Sequence, residues 1–296
     1  MQDIQLDNIS IDKLSLSSYV EMNVETHVLR LDKIHPFISG NKWFKLQYYL
    51  AEAKKVNKKT IVTYGGAWSN HLLAVAAACN MYKFSCFGII RGEEAPILTP
   101  TLIKASELGM QLIFINREDY RYGKIPDDLN KAEYYFIPEG GYGMNGANGA
   151  ATILDYCKKE AYTHICCAAG TGTMTAGLII GSSNAQQVIG ISVLKNNFSL
   201  DDKIKLITGN SEKGYQLTHD YHFGGYAKHK PELLNFMNNF FRQTKIPSDF
   251  VYTGKLFYAV NDLIFNNYFP SGSKLLLIHS GGLQGNDSLS NGTLIF

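Results

Sequence analysis

The feature that most restricts this chain is a repeated change of hydrophobic period between residues 59 and 193. Short runs rich in β-branched and aromatic residues alternate with longer runs of alanine and leucine. The pattern predicts strands at 59–64, 84–90, 111–115, 134–137, 163–168 and 187–193. It predicts helices at 43–55, 70–79, 98–108, 147–159 and 174–182 between them. Strand and helix in strict alternation build parallel sheets, with helices packed on both faces. The last third repeats the theme more loosely. Leu233, Leu234, Met237, Phe240 and Phe241 fall at helical spacing within 231–242, followed by a short strand at 250–252, a helix at 254–265 and a strand at 274–279. The expected fold class is therefore α/β with two parallel-sheet domains. Ligands in such sheets lie beyond the carboxyl ends of the strands.

Composition supports a folded chain and excludes some partners. With 296 residues, 45% of them hydrophobic, two cores can be filled. The 28 Lys and Arg against 26 Asp and Glu leave a net charge of +2, which gives no footprint for nucleic acid or an anionic membrane. The opening MQDIQLDN lacks a basic segment followed by an apolar one, so no secretory leader is expected. Cys79, Cys86, Cys157, Cys166 and Cys167 show no CxxC spacing. Reduced thiols in a cytoplasmic protein are the expectation. No Pro-, Ser- or charge-rich linker marks a boundary, so two domains would share the chain discontinuously.

Glycine placement carries the most functional information. Four predicted strands end in glycine next to small or polar residues: Gly65-Gly66, Gly140-Gly141, the run 170–173 and the run 279–282. Glycine lets the backbone turn sharply and lets a ligand approach it. Four such turns in one chain suggest a shared ligand-binding edge. The run 168–177 (AAGTGTMTAG) joins a buried strand to a helix, where free N–H groups and the helix dipole favour an anion. It lacks the Gly-Lys-Ser/Thr ending of a nucleoside-triphosphate loop. The run 141–146 matches GxGxxG, but the next strand carries no acidic residue to hold a dinucleotide ribose.

Single residues are less decisive. Lys42 ends the turn Ser39-Gly40-Asn41 before a helix. A lysine at a turn is as a rule merely solvated. Held on a helix N-terminus it would favour the neutral, nucleophilic amine, and Lys45 one turn on would add to that effect. The residues alone leave both readings open. Ser69, Asn70 and His71 open another helix, where Ser69 or Asn70 would serve simply as a cap. No GxSxG elbow accompanies Ser69, which argues against a serine hydrolase. His219, His222 and His229 lack HExxH spacing and read as loop histidines.

Taken in order, these segments resemble the fold-type-II pyridoxal-phosphate enzymes, and among them the 1-aminocyclopropane-1-carboxylate deaminase / D-cysteine desulfhydrase family. The resemblance rests on 39–46 (SGNKWFKL), 65–71 (GGAWSNH), 138–141 (PEGG), 169–177 (AGTGTMTAG), 251–255 (VYTGK) and 279–282 (HSGG). It implies a cofactor, pyridoxal 5'-phosphate, whose aldehyde is held by Lys42. It implies that Asn70 bonds the cofactor's phenolic oxygen. Gly170, Thr171, Gly172, Thr173, Met174 and Thr175 would cradle its phosphate. Ser69, Tyr226 and Tyr252 would be catalytic groups, and Thr253 would face the pyridine nitrogen. Phe44 stands where the family commonly has arginine and Trp68 where it has a polar residue, both on the expected substrate side.

The resemblance further implies a homodimer acting on a small amino acid. It implies a large cofactor-binding domain from 1–44 and 145–296, with a smaller α/β domain, 45–144, inserted, and the active site between them. Ring-opening deaminases of the family carry glutamate where Thr253 stands. A carboxylate keeps the pyridine nitrogen protonated and the ring a strong electron sink, whereas threonine offers only a hydrogen bond. The expected reaction is therefore β-elimination of the D-cysteine desulfhydrase type, yielding a 2-oxo acid, ammonia and sulfide. A cyclopropane deaminase or D-serine-type dehydratase is the alternative, and a non-catalytic binder of a phosphate ligand is the rival of another class.

Overall fold

A computed structural model describes residues 3–127, 129–209 and 213–296. In chain order the elements are β1 (Ile11–Lys13), α1 (Ser17–Glu21), β2 (Glu25–Arg30), α2 (Asn41–Lys55), β3 (Thr60–Gly65), α3 (Asn70–Tyr82), β4 (Ser85–Arg91), α4 (Pro100–Glu107), β5 (Met110–Ile115), α5 (Arg117–Arg121) and β6 (Tyr134–Ile137). They continue with α6 (Met144–Ala151), β7 (His164–Ala169), α7 (Thr173–Gly181), β8 (Gln187–Ser192), α8 (Leu200–Thr208), β9 (Tyr215–Thr218), α9 (Pro231–Thr244), α10 (Thr253–Phe265) and β10 (Lys274–His279). The fold is α/β, as the alternating pattern predicts.

Two sheets organise the chain. One has the order β5-β4-β3-β6 and is wholly parallel. The other has the order β1-β2-β10-β7-β8-β9, parallel except for the β1–β2 pair. The last strand of the chain thus enters the middle of the larger sheet. Helices cover both faces of that sheet, and β7 shows how. Ile165, Cys167 and Ala169 point into a core shared with α6, α7 and α8, while Cys166 and Ala168 point into one shared with α9 and α10. Alternate residues of one strand serve two cores, so the strand is apolar throughout.

Two expectations need correction. Residues 250–252 form no strand. The buried carboxylate of Asp249 accepts from the backbone N–H groups of Val251, Tyr252 and Thr253 at 2.8–3.0 Å and winds the segment into a turn that leads into α10. The helix expected over 147–159 starts at Met144 and stops at Ala151, followed by 3₁₀ turns. Its glycines serve close packing: a Cβ on Gly149 would lie 1.8 Å from the Phe44 carbonyl oxygen on α2, and one on Gly146 would lie 2.0 Å from that of Gly141. The 141–146 fingerprint is therefore a helix-packing device. Helix α2 runs unbroken from Asn41 to Lys55.

Candidate active site

The carboxyl ends of β3, β7 and β10 and the turn after β6 converge on one cavity of about 350 Å³. All four glycine turns contribute to its wall, through Gly66, Gly140, Gly170 and Gly172, and Gly281 and Gly282. The turn at Gly40 is fixed from outside. Gly40 has φ +61°, and a Cβ there would lie 1.9 Å from the carbonyl oxygen of Ser280. Asn41 N–H donates to that same oxygen at 3.2 Å. The start of α2 is thereby pinned against the end of β10, which presents Lys42 to the cavity.

Lys42 has the properties of a reactive amine. Its pKa is lowered from 10.5 to about 8. The cause is burial, opposed by the carboxylate of Asp249. Nζ donates to the Asn41 side chain at 3.1 Å and lies 5.8 Å from the centre of the Tyr252 ring. Lys45 also lines the cavity. It donates to the Gly140 carbonyl at 3.3 Å, and burial followed by repulsion from Lys42 holds its pKa well below the ordinary value.

The loop after β7 is built to receive an anion. Among the described residues, the backbone N–H groups of Thr171 through Thr175 make no hydrogen bond within the protein. The first intrahelical bond of α7 comes from Ala176, to Gly172 at 2.8 Å. Free donors at a helix start are where phosphates bind. Gly170, Thr171, Gly172, Met174 and Thr175 line the cavity. Thr173 is buried beneath, its hydroxyl 3.0 Å from that of Thr171. Gly172 has φ +85°, and a Cβ there would meet Ile204 and Leu200 of α8. Its glycine thus serves backbone shape and α8 packing.

The start of α3 brings a second group. Ser69 caps the helix, accepting from Leu72 N–H at 3.4 Å, and lines the cavity with Asn70 and His71. Asn70 Oδ1 is buried without a partner. The tautomer of His71 follows from its neighbour. Thr63 has one hydroxyl proton and donates it to the Ile137 carbonyl at 2.7 Å. His71 Nε2, 2.9 Å from that hydroxyl, must then carry the ring proton. Nδ1 is left as a buried acceptor with no partner. Burial, with Lys42 and Lys45 nearby, lowers the His71 pKa to about 3, so the ring is neutral.

Tyr226 and Tyr252 complete the wall, with ring centres 6.3 Å apart and planes at 70°. Thr253 is not where the resemblance puts it. It is fully buried and does not line the cavity. Its hydroxyl donates to Asp249 Oδ1 at 2.7 Å and accepts from Asp249 N–H at 2.8 Å, so its one proton is used inside the fold. Ser280 lines the cavity instead. Phe44 is also displaced from the expected substrate side: it is 1% exposed, in the core against Tyr156. Trp68 lies outside the cavity wall.

The donor set fits pyridoxal phosphate. A partly neutral amine can hold an aldehyde, unbonded N–H groups can hold a phosphate, and both line one cavity. The sequence pattern of the pyridoxal-phosphate dependent enzymes matches residues 16–281. This chain belongs to that family. Within it, the chain is 32% identical over 270 residues to a Thermotoga maritima protein provisionally named 1-aminocyclopropane-1-carboxylate deaminase, covering 83% of this chain and 85% of the relative. It is 29% identical to the mitochondrial bifunctional D-cysteine desulfhydrase/1-aminocyclopropane-1-carboxylate deaminase of Arabidopsis thaliana, covering 84% of this chain and 70% of that one. A crystal structure titled as an ACC deaminase homologue superposes with a TM-score of 0.79 at 26% identity, covering 94% of this chain and 90% of the other. The protein is thus a pyridoxal-phosphate dependent enzyme of the cyclopropane-deaminase and D-cysteine-desulfhydrase group. Among its described residues no helix is long and apolar enough to cross a membrane.

Sequence reasoning missed Ser280 and Asp249. Ser280 was in plain view beside Gly281 and Gly282, read only as part of a turn. Nothing local marks Asp249, whose role depends on a turn that the sequence made look like a strand.

Proposed function

We propose that this enzyme carries out β-elimination on a small amino acid of the D-cysteine type, releasing a thiol or sulfide. When bound, pyridoxal phosphate draws electrons from the substrate's α-carbon and so acidifies the α-proton. Lys42 and the N–H groups of Thr171 through Thr175 would hold its aldehyde and phosphate, with Asn70 and Ser280 as polar neighbours. The residue chemistry then follows. Lys42 Nζ, near neutrality in proton affinity, takes the α-proton. Ser69, at the start of α3, orients the substrate carboxylate. Tyr226 and Tyr252, whose pKa values burial raises, stay protonated and donate hydrogen bonds. Loss of the β-substituent gives aminoacrylate, which hydrolyses to a 2-oxo acid and ammonia. With water counted once, D-cysteine gives pyruvate, ammonia and hydrogen sulfide. This is lyase chemistry. The reading takes 1–44 with 145–296 as the cofactor-binding unit and 45–144 as an insertion, adjusted to keep α2 whole, and takes the protein as a homodimer in the cytoplasm.

The observation that carries the substrate reading is the absence of carboxylates from most of the wall: among the described residues Glu139 alone lines the cavity. The pyridine nitrogen would then meet the hydroxyl of Ser280 and no negative charge. A thiolate leaves readily without a fully charged electron sink, whereas an unactivated cyclopropane does not open. The names of the relatives favour a second reading, 1-aminocyclopropane-1-carboxylate deamination. A panel of D-cysteine, β-chloro-D-alanine, D-serine and the cyclopropane amino acid, assayed for 2-oxo acid and sulfide, separates the two. Faster 2-oxo acid release from the cyclopropane than from D-cysteine would overturn the first reading.

A further inference from the structure

Lys255 lies in the first turn of α10, three residues after Tyr252, and is completely buried. Its ammonium donates to three main-chain carbonyls: Gly225 at 2.7 Å, His222 at 2.8 Å and Val193 at 3.5 Å. An ammonium has three protons, and each has a carbonyl. The location is unfavourable for a cation. Burial opposes the charge, and so does the positive end of the helix. A methionine would fill the same space without either cost. What methionine could not do is draw three carbonyl oxygens to one point.

Two of those carbonyls belong to the loop that carries Tyr226. Phe223, Gly224, Gly225 and Ala227 have φ of 51, 100, 118 and 49°, so four of five consecutive residues are left-handed, two of them with side chains that disfavour it. The loop's own bonds, from Gly225 N–H to the His222 carbonyl and from Lys228 N–H to the Gly225 carbonyl, tie it to itself. The Gly225 carbonyl belongs to the peptide unit whose nitrogen is that of Tyr226. A bond to that oxygen orients the plane from which the tyrosine projects. Tyr226 leans edge-on against Tyr252 yet keeps 40% of its surface exposed, so its place depends also on the backbone that carries it.

We propose that Lys255 is a positioning residue for Tyr226: a resident monovalent cation whose three-carbonyl grip holds residues 222–226 and sets the tyrosine in the substrate site. The role rests on the reading of Tyr226 as part of that site. One helix turn would then supply both halves of the aromatic pair, Tyr252 directly and Tyr226 through the Lys255 grip.

The test uses two variants of the full-length protein. Lys255→Met keeps the volume and removes the charge. Lys255→Ala vacates the cage, which a potassium or ammonium ion can then enter. Amide hydrogen exchange over 221–228 is read first, since it requires neither turnover nor cofactor. We expect Lys255→Met to lose at least tenfold in protection there, with the strands of the larger sheet unchanged. In Lys255→Ala, potassium or ammonium should restore protection and tetramethylammonium should not. With cofactor loading confirmed by absorbance, kcat should fall about tenfold or more in Lys255→Met. In a Tyr226→Phe background the same change should cost less than threefold. Wild-type protection of 221–228 in both variants overturns the proposal, as does an equal loss of kcat with and without the Tyr226 hydroxyl. Failure of both variants to fold, with no rescue by either small cation, also overturns it. If the wild type turns over none of the amino acids in the panel, the substrate reading fails while the exchange result still judges the grip.

Discussion

The lowered pKa of Lys42 can be tested before any substrate is known. At pH 7 an amine of pKa about 8 is about 9% neutral, against about 0.03% for one at 10.5, roughly a 300-fold difference. The less basic amine is also the weaker nucleophile, so the net advantage over a surface lysine should lie between about 10- and 300-fold. Trace reductive methylation of the cofactor-free protein from pH 6 to 10, read by peptide mass mapping, measures it directly. Lys13 and Lys124, with side chains 60% and 58% exposed, are internal references. Labelling of Lys42 should rise with a midpoint near pH 8. Lys45 should also titrate well below an ordinary lysine, because burial is joined there by repulsion from Lys42. With pyridoxal phosphate added, borohydride should fix the cofactor mass on Lys42. A Lys42 midpoint above pH 10, or the cofactor on Lys45, would refute the argument from burial to function.

Three further outcomes follow from particular contacts. Gly172→Ala should destabilise the protein by about 1–3 kcal/mol in urea unfolding with or without cofactor, because the new Cβ meets Ile204 and Leu200 on a left-handed backbone; a loss confined to cofactor binding would contradict this. Thr253→Glu should fold poorly, since it sets a second carboxylate beside the buried Asp249, whereas Ser280→Ala should fold well and shift the bound cofactor's absorption maximum; a soluble, stable Thr253→Glu would show that the buried pair is dispensable. Lys42→Met should melt higher than wild type at pH 7, and the gap should close between pH 8 and 10.5, since the unfolded chain holds the Lys42 proton in that range and the folded one releases it; a gap independent of pH would remove Lys42 protonation as its cause.

The architecture was legible because parallel strands are apolar on both faces and each is followed by a helix with its own period. The core of each interior strand was therefore readable from a few residues, as at Ile165 through Ala169. The outer strands of the larger sheet were not. β2, second from one edge, and β9, at the other, carry Glu25, His27 and Gln216 among their apolar residues, and β2 pairs with β10, far away in the chain. Turn 249–253 misled because Phe250, Val251 and Tyr252 favour strands locally, while one buried carboxylate outbids that preference with three backbone hydrogen bonds. The cavity wall was legible where glycine had to be there, at 66, 140, 170 and 281, and at the helix starts that carry Lys42 and Ser69, whereas Ser280 was legible only as part of its turn. Thr253 shows the limit of carrying a role over by position: the residue matches the motif, yet its hydroxyl is turned to Asp249.

Lys42 and Lys255 show how little the proton affinity of a lysine says about its use. Each begins a helix, each is buried, and each has its pKa lowered to about 8 by that burial against the opposing pull of Asp249. They differ in what holds the amine. Lys42 has one amide oxygen at 3.1 Å and faces the cavity, so its nitrogen can shed a proton and move. Lys255 has three carbonyls and no open side, so its nitrogen can do neither without releasing the loop. Partner count and access to the cavity, more than electrostatics, divide one lysine that reacts from one that holds.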